Sequence, residues 1–180
     1  MPKTTKATEF DGDLDEFLHE YKYQPNLTAR LDTLEMLQFT QGLVNEIVLW
    51  KLDRFVQFSD ELLRGIESVK GLHPGEHRNA ESLIDSLLIV HGVDLPMAST
   101  LLRFRNPSVF QIIDRHAYRA VYGSKFPLYS SMSPKRKIGV YFDYIDELIT
   151  LCGQKKVRFE TIDRVLYQFD KDKNGELSDG

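Results

Sequence analysis

The sequence predicts an all-α protein, and three observations carry that expectation. Apolar residues recur at helical spacing along most of the 180-residue chain. No run alternates apolar and polar residues over the length of a strand. Glycines such as Gly71, Gly92 and Gly123 punctuate the periodic runs at helix-length intervals. About nine helices with short connections are expected, packed as a compact bundle.

Each element follows from its own pattern. Leu14, Phe17, Leu18 and Tyr21 stand at i, i+3, i+4 and i+7, which predicts a short amphipathic helix over 13–22, closed by Pro25. A second helix is expected over 28–39. Residues 42–56 carry Leu43, Val44, Ile47, Val48, Leu49, Trp50, Leu52, Phe55 and Val56, an apolar face broad enough to predict a central, mostly buried helix. Ser59 is placed to cap a helix with the stripe Leu62, Leu63, Ile66 and Val69, ended by Gly71. His73-Pro74-Gly75 reads as a turn.

The next helix, 76–91, presents Ala80, Leu83, Ile84, Leu87 and Leu88 on one face and stops at Gly92. Another begins at Leu95-Pro96, where proline suits the first turn, and ends at Asn106-Pro107. Residues 109–113 form a short apolar segment, extended or simply buried. A brief helix over 115–122 is closed by Gly123. Ser133-Pro134 is an N-cap and N1 pair opening a long helix with the stripe Ile138, Tyr141, Phe142, Ile145, Leu148, Ile149 and Cys152. A last helix uses Ile162, Val165, Leu166 and Phe169. The expected organisation is a flexible tail over 1–12, one helical domain or two small lobes over 13–170, and a polar tail over 171–180.

Composition narrows the function classes. Apolar residues make up 42% and charged residues 28%, a globular balance that excludes a disordered or fibrous chain. The longest uncharged stretch, 36–45, is too short to span a bilayer, so no membrane partner is expected. The first residues lack the apolar run of a secretory signal, which predicts a cytoplasmic protein. Cys152 is the only cysteine, leaving no disulfide or cysteine-built metal site, and no cofactor or metal is expected. The net charge of −4, taken as a sum, argues against a nucleic-acid partner.

Position changes that argument. Gly92, Val93 and Asp94 join two predicted helices in a tight hairpin, and a helix start of this kind can offer backbone N–H groups to a phosphate. Downstream, Val109, Phe110, Ile112 and Ile113 lead to Asp114 at the start of a helix. There a carboxylate can act as an N-cap, as a catalytic group, or as both. Between Leu95 and Phe142 lie eight basic residues: Arg103, Arg105, Arg115, Arg119, Lys125, Lys135, Arg136 and Lys137. Asp114 is the sole acid there, so the stretch is +7 and the remainder −11. Arg103, Arg105, Lys135, Arg136 and Lys137 are the expected leading phosphate contacts.

The run from Leu87 through the hairpin to Asp114 and the helix after it resembles the helix-hairpin-helix (HhH-GPD) DNA glycosylase superfamily. Gly92, Val93 and Ala98 match its hairpin and Asp114 its catalytic aspartate, at fitting spacing. The resemblance covers about residues 83–122. It implies an all-α glycosylase-like fold, with Gly92, Val93, Asp94, Arg103, Arg105, Arg115, Arg119, Lys135, Arg136 and Lys137 toward DNA. It also implies that Asp114 assists hydrolysis of an N-glycosidic bond after base flipping. Trp50 and Lys51 fall roughly where such enzymes wedge into the flipped-base gap, although a lone tryptophan is more often a core residue. Asp94 replaces the second hairpin glycine. Pro96 replaces the lysine of the lyases, so only monofunctional chemistry is expected.

Two other readings stand beside the glycosylase. One is a non-catalytic hairpin that only holds nucleic acid. The other is a small helical interaction protein with weak calcium binding. For the latter, Asp170, Asp172, Asn174, Gly175 and Ser178 fit part of an EF-hand-like loop, but position 12 would fall at residue 181.

Overall fold

A computed structural model of the chain describes residues 7, 11–14, 17, 18, 21–33, 40–52, 56–127, 129 and 131–177. The described residues contain eight α-helices and no strand. These are α1 (Pro25–Leu31), α2 (Gln41–Lys51), α3 (Asp60–Ser68), α4 (Glu81–Ile89), α5 (Leu95–Arg105), α6 (Arg115–Tyr122), α7 (Pro134–Lys155) and α8 (Ile162–Asn174). Short 3-10 turns occupy Val69–Gly71, His77–Ala80 and Phe159–Thr161. The chain divides into two units at Phe55 and Val56.

In the first unit, α1 begins at Pro25, three residues ahead of the start expected for the helix over 28–39. A ring that fixes φ and lacks an N–H is well suited to a helix start. Of the predicted helix over 13–22, residues 15, 16, 19 and 20 lie outside the described residues, as does the second half, 34–39, of that over 28–39. Thr40 caps α2 by accepting from Leu43 N. Only Leu43 of α2 is buried, so the broad apolar run of 42–56 is not the central buried helix its composition predicts.

The second unit owns the core. Ile84, Leu87, Leu95, Leu102, Phe110, Ile113, Tyr141, Tyr144, Ile145 and Leu148 are fully shielded, and they come from α4, α5, α7 and the segment before α6. Removing each such side chain from water contributes about 1.5–3 kcal/mol, and this burial selects the helical faces seen in the sequence. Boundaries follow local chemistry. Ser59 Oγ accepts from Leu62 N to start α3, Pro134 opens α7, and Gly123 closes α6 in the left-handed conformation at φ 63°. Asn106 ends α5 and turns inward, where its Nδ2 donates to Val69 O and Leu72 O and so ties the helix end to the first 3-10 turn.

Two elements depart from their predicted form. The helix expected over 76–91 is split into a 3-10 turn, His77–Ala80, and α4. The last helix continues through Asn174, so the segment that would start the calcium loop is helical. The buried face of α8 is also rotated. Ile162, Asp163, Leu166 and Asp170 point inward, while Val165 and Phe169 are exposed.

Candidate functional site

Asp114 is placed by a segment that forms neither helix nor strand. Val109, Phe110, Gln111 and Ile113 are buried, so their backbone groups need partners other than water. Asn106 O accepts from Val109 N and Phe110 N, and side chains serve the groups that follow. Ser99 Oγ accepts from Ile113 N at 3.2 Å, Tyr144 donates its hydroxyl to Ile112 O at 3.0 Å, and Tyr141 donates to Gln111 O at 3.0 Å. Gln111 Nε2 donates to Pro107 O at 2.7 Å. Burial, and after it the Asp114 carboxylate, hold the Tyr144 phenol well above its ordinary pKa of 10, so it remains a donor.

Asp114 then caps α6, its Oδ1 accepting from Ala117 N at 2.7 Å. The residue is half-buried and lines an open groove of about 340 Å³ shared with Ile112, Asp163, Arg164, Tyr167 and Gln168. The two readings of Asp114 from sequence are thus geometrically compatible: one oxygen serves the cap and the carboxylate borders a space a ligand can enter. The remaining walls come from α8, about fifty residues downstream, and sequence reasoning missed them. Tyr167 and Gln168 sit off the apolar stripe of that helix, and only tertiary packing brings them beside Asp114.

Beneath this groove α6 and α8 are clamped by a buried carboxylate. Asp170 is fully shielded, and Arg119 donates to it from Nε at 2.9 Å and from a terminal nitrogen at 2.8 Å. His116 Nδ1 lies 2.7 Å from Asp170 Oδ2, and Asn174 Nδ2 donates to Oδ1 at 2.7 Å. The Arg119 hydrogen bonds outweigh burial and, with those from Asn174 and His116, keep this carboxyl well below its ordinary 3.8. The His116 ring in turn meets Tyr167 edge-on at 4.8 Å. Asp170 and Asn174, the first and fifth positions of the sequence's calcium loop, are therefore partners of this clamp on a helix, a different arrangement from a loop of oxygen ligands. Among the described residues no group of three or more metal-ligating side chains converges.

The hairpin has its own surprise. Gly92 takes φ 83°, a value that favours glycine, and Val93 is buried with its N–H donating to Val90 O at 3.0 Å. Asp94 Oδ1 accepts from Leu95 N at 2.7 Å, and Lys137 Nζ lies 2.7 Å from the same oxygen. Two of the donors that the sequence reading offered to a phosphate, Val93 N and Leu95 N, are thus already engaged, with the chain's own carboxylate seated at the helix start. Lys137 partly neutralises the Asp94 carboxylate, which lessens the repulsion it would offer a phosphate.

The basic stretch divides in space. Arg103 turns inward to Asp163 and donates to Glu160 O, Arg105 pairs with Glu67, Arg119 with Asp170 and Lys137 with Asp94. Arg103, almost wholly shielded, and Arg119, partly exposed, are thus engaged by acids of α8. Arg115, Lys125, Lys135 and Arg136 are exposed, with no ion pair among the described residues. The +7 of the sequence is in this way about half neutralised by acids from outside the stretch.

Trp50 and Lys51 belong to the first unit. Trp50 Nε1 donates to Thr28 Oγ1 at 2.9 Å, its carbonyl accepts from the Tyr23 hydroxyl at 2.6 Å, and its ring meets Tyr23 edge-on at 5.2 Å. These contacts give Trp50 a structural place joining α1 to α2, while Lys51 is exposed at the end of α2. Among the described residues no helix is long and apolar enough to cross a membrane. No family model, curated protein or solved structure matches the chain.

Proposed function

We propose that the second unit acts on nucleic acid as a monofunctional N-glycosylase, with Asp114 assisting hydrolysis of an N-glycosidic bond. The observation that carries this reading is the setting of Asp114. Its carboxylate emerges from a rigidly held apolar segment, is oriented by one backbone N–H, and borders an open groove with an aromatic wall. A carboxylate so fixed can stabilise positive charge developing on a sugar as the base leaves, or take a proton from attacking water. A flipped base would enter beside Tyr167, while the exposed cations Arg115, Lys135 and Arg136 would meet phosphates. Pro96 offers no amine, so no imine intermediate forms there.

A second reading, a non-catalytic hairpin that only holds nucleic acid, is favoured by the completeness of the Asp114 cap, which by itself explains an aspartate at that position. One experiment separates the two. The protein is incubated with duplexes carrying damaged, deaminated or alkylated bases, abasic sites are scored by alkaline cleavage, and DNA binding is measured in parallel. Asp114→Asn keeps an equally good N-cap, so it is expected to fold and bind but release no base. Binding without release by the wild-type chain leaves the second reading, and absence of binding at low salt rejects both.

A further inference from the structure

Two opposite charges line the groove beside Asp114 without meeting each other. Asp114 stands at the start of α6 and Arg164 in the first turn of α8, and neither takes part in an ion pair among the described residues. Asp163 also lines the groove, but its oxygens are shielded and engaged. One accepts from Arg164 N at 2.8 Å and the other lies 3.1 Å from Arg103 Nε. Gln168 is turned to Asp172. The free side-chain donors are thus the Arg164 guanidinium and the Tyr167 hydroxyl, three residues apart and so on one face of α8. Helix stability does not account for this arginine. A cation in the first turn meets the positive end of the helix dipole, and the neighbouring acid, Asp163, is committed to Arg103. Lys171 Nζ, 5.6 Å from the centre of the Tyr167 ring, adds to the positive field along this wall.

From this we infer that the groove binds a nucleotide by its phosphate, which Arg164 and Tyr167 hold while the sugar faces Asp114. A guanidinium presents a planar fork of N–H donors that matches two phosphate oxygens, and the phenol adds a further hydrogen bond. Asp114 repels the same anion, so the two walls together fix the direction in which the nucleotide lies. The volume of about 340 Å³ falls within the range of small-ligand sites, about 300–1,000 Å³. Arg164 lies outside the basic stretch of the sequence, and only packing brings it to the groove. The inference rests on reading the groove as the substrate site with Asp114 as its carboxylate.

The test titrates the full chain by calorimetry with deoxyadenosine, its 5′- and 3′-monophosphates, inorganic phosphate and a short single-stranded oligonucleotide. One monophosphate is expected to bind about tenfold more tightly than the nucleoside, an advantage that shrinks as salt rises. Arg164→Gln should erase that advantage with helical content unchanged, and Arg164→Lys, which keeps the charge but not the fork, should restore part of it. Tyr167→Phe should narrow it, whereas Lys135→Ala, a cation outside the groove, should leave it intact. A loss of oligonucleotide affinity in Arg164→Gln assigns the phosphate to a strand, and a loss confined to the monophosphates assigns it to free nucleotides. Equal binding of nucleoside and monophosphates, no binding of either, inorganic phosphate binding as tightly as a nucleotide, or an advantage that survives Arg164→Gln would overturn the inference. A chain that shows the Arg164-dependent advantage yet releases no base from DNA keeps this inference and rejects the catalytic proposal. Base release with kcat/KM unaltered by Arg164→Gln does the reverse.

Discussion

Arg103 Nε lies 3.1 Å from Asp163 Oδ2, with both side chains almost wholly shielded from solvent. This pair ties α5 to α8, and a terminal nitrogen of Arg103 also donates to Glu160 O just before α8. A sequence count assigns the same arginine to a DNA-facing surface, because counting sees charge and not direction. Inside the protein, the pair's value lies less in its net attraction than in the cost of breaking it.

Arg103→Ala should therefore lower stability by about 3–5 kcal/mol, since it strands the Asp163 carboxylate in a closed environment. Urea unfolding checks this. The salt dependence of DNA binding should be unchanged by that substitution, whereas Lys135→Ala or Arg136→Ala should each reduce the slope of log K against log salt by about 0.9. An equal loss of slope from Arg103→Ala would return that residue to the surface.

Asp94 provides a sharper test of the hairpin. Its carboxylate occupies the start of α5 and draws Lys137 to itself. Asp94→Gly removes a negative charge and releases both the Leu95 N–H and the lysine, while glycine costs only a few tenths of a kcal/mol as a cap. If this turn meets phosphate, the substitution should tighten DNA binding about fivefold, the value of roughly 1 kcal/mol for one relieved charge contact. Unchanged affinity in a fluorescence-anisotropy titration would remove the hairpin from the interface.

Ser99 should prove more important than its size implies. Its hydroxyl donates to Pro96 O and accepts from Ile113 N, the last buried backbone donor before Asp114. Ser99→Ala leaves that N–H unpaired, which costs about 1–3 kcal/mol. Any base-release activity should fall with it, because the Asp114 carboxylate loses its fixed approach. Thermal unfolding and the abasic-site assay measure the two effects separately.

His77 predicts how stability responds to pH. The residue is buried against the Phe142 ring, and desolvation lowers its pKa below the ordinary 6.5 despite the opposing pull of Asp146. The folded state therefore binds fewer protons than the unfolded state below 6.5. Its stabilising contribution is complete above 6.5 and is lost as pH falls from there toward the depressed folded value. The urea midpoint should drop between pH of about 7.5 and about 5.5, and His77→Gln should flatten that drop.

The sequence alone determined the helical class, most of the element boundaries and the position of Asp114 at a helix start. These are local matters. Spacing of Ile138, Tyr141, Ile145 and Leu148 defines a helix face, Pro134 and Gly123 mark ends, and an apolar run followed by aspartate marks a cap. Tertiary structure decided which charges face water and which residues share the groove. The inward face of α8 is the clearest case. Its apolar stripe predicted Val165 and Phe169 inside, yet Asp163 and Asp170 are buried because Arg103, His116 and Arg119, from α5 and α6, meet them there. A buried carboxylate becomes tolerable only when a cation from elsewhere in the chain arrives beside it, and no local pattern records that arrival.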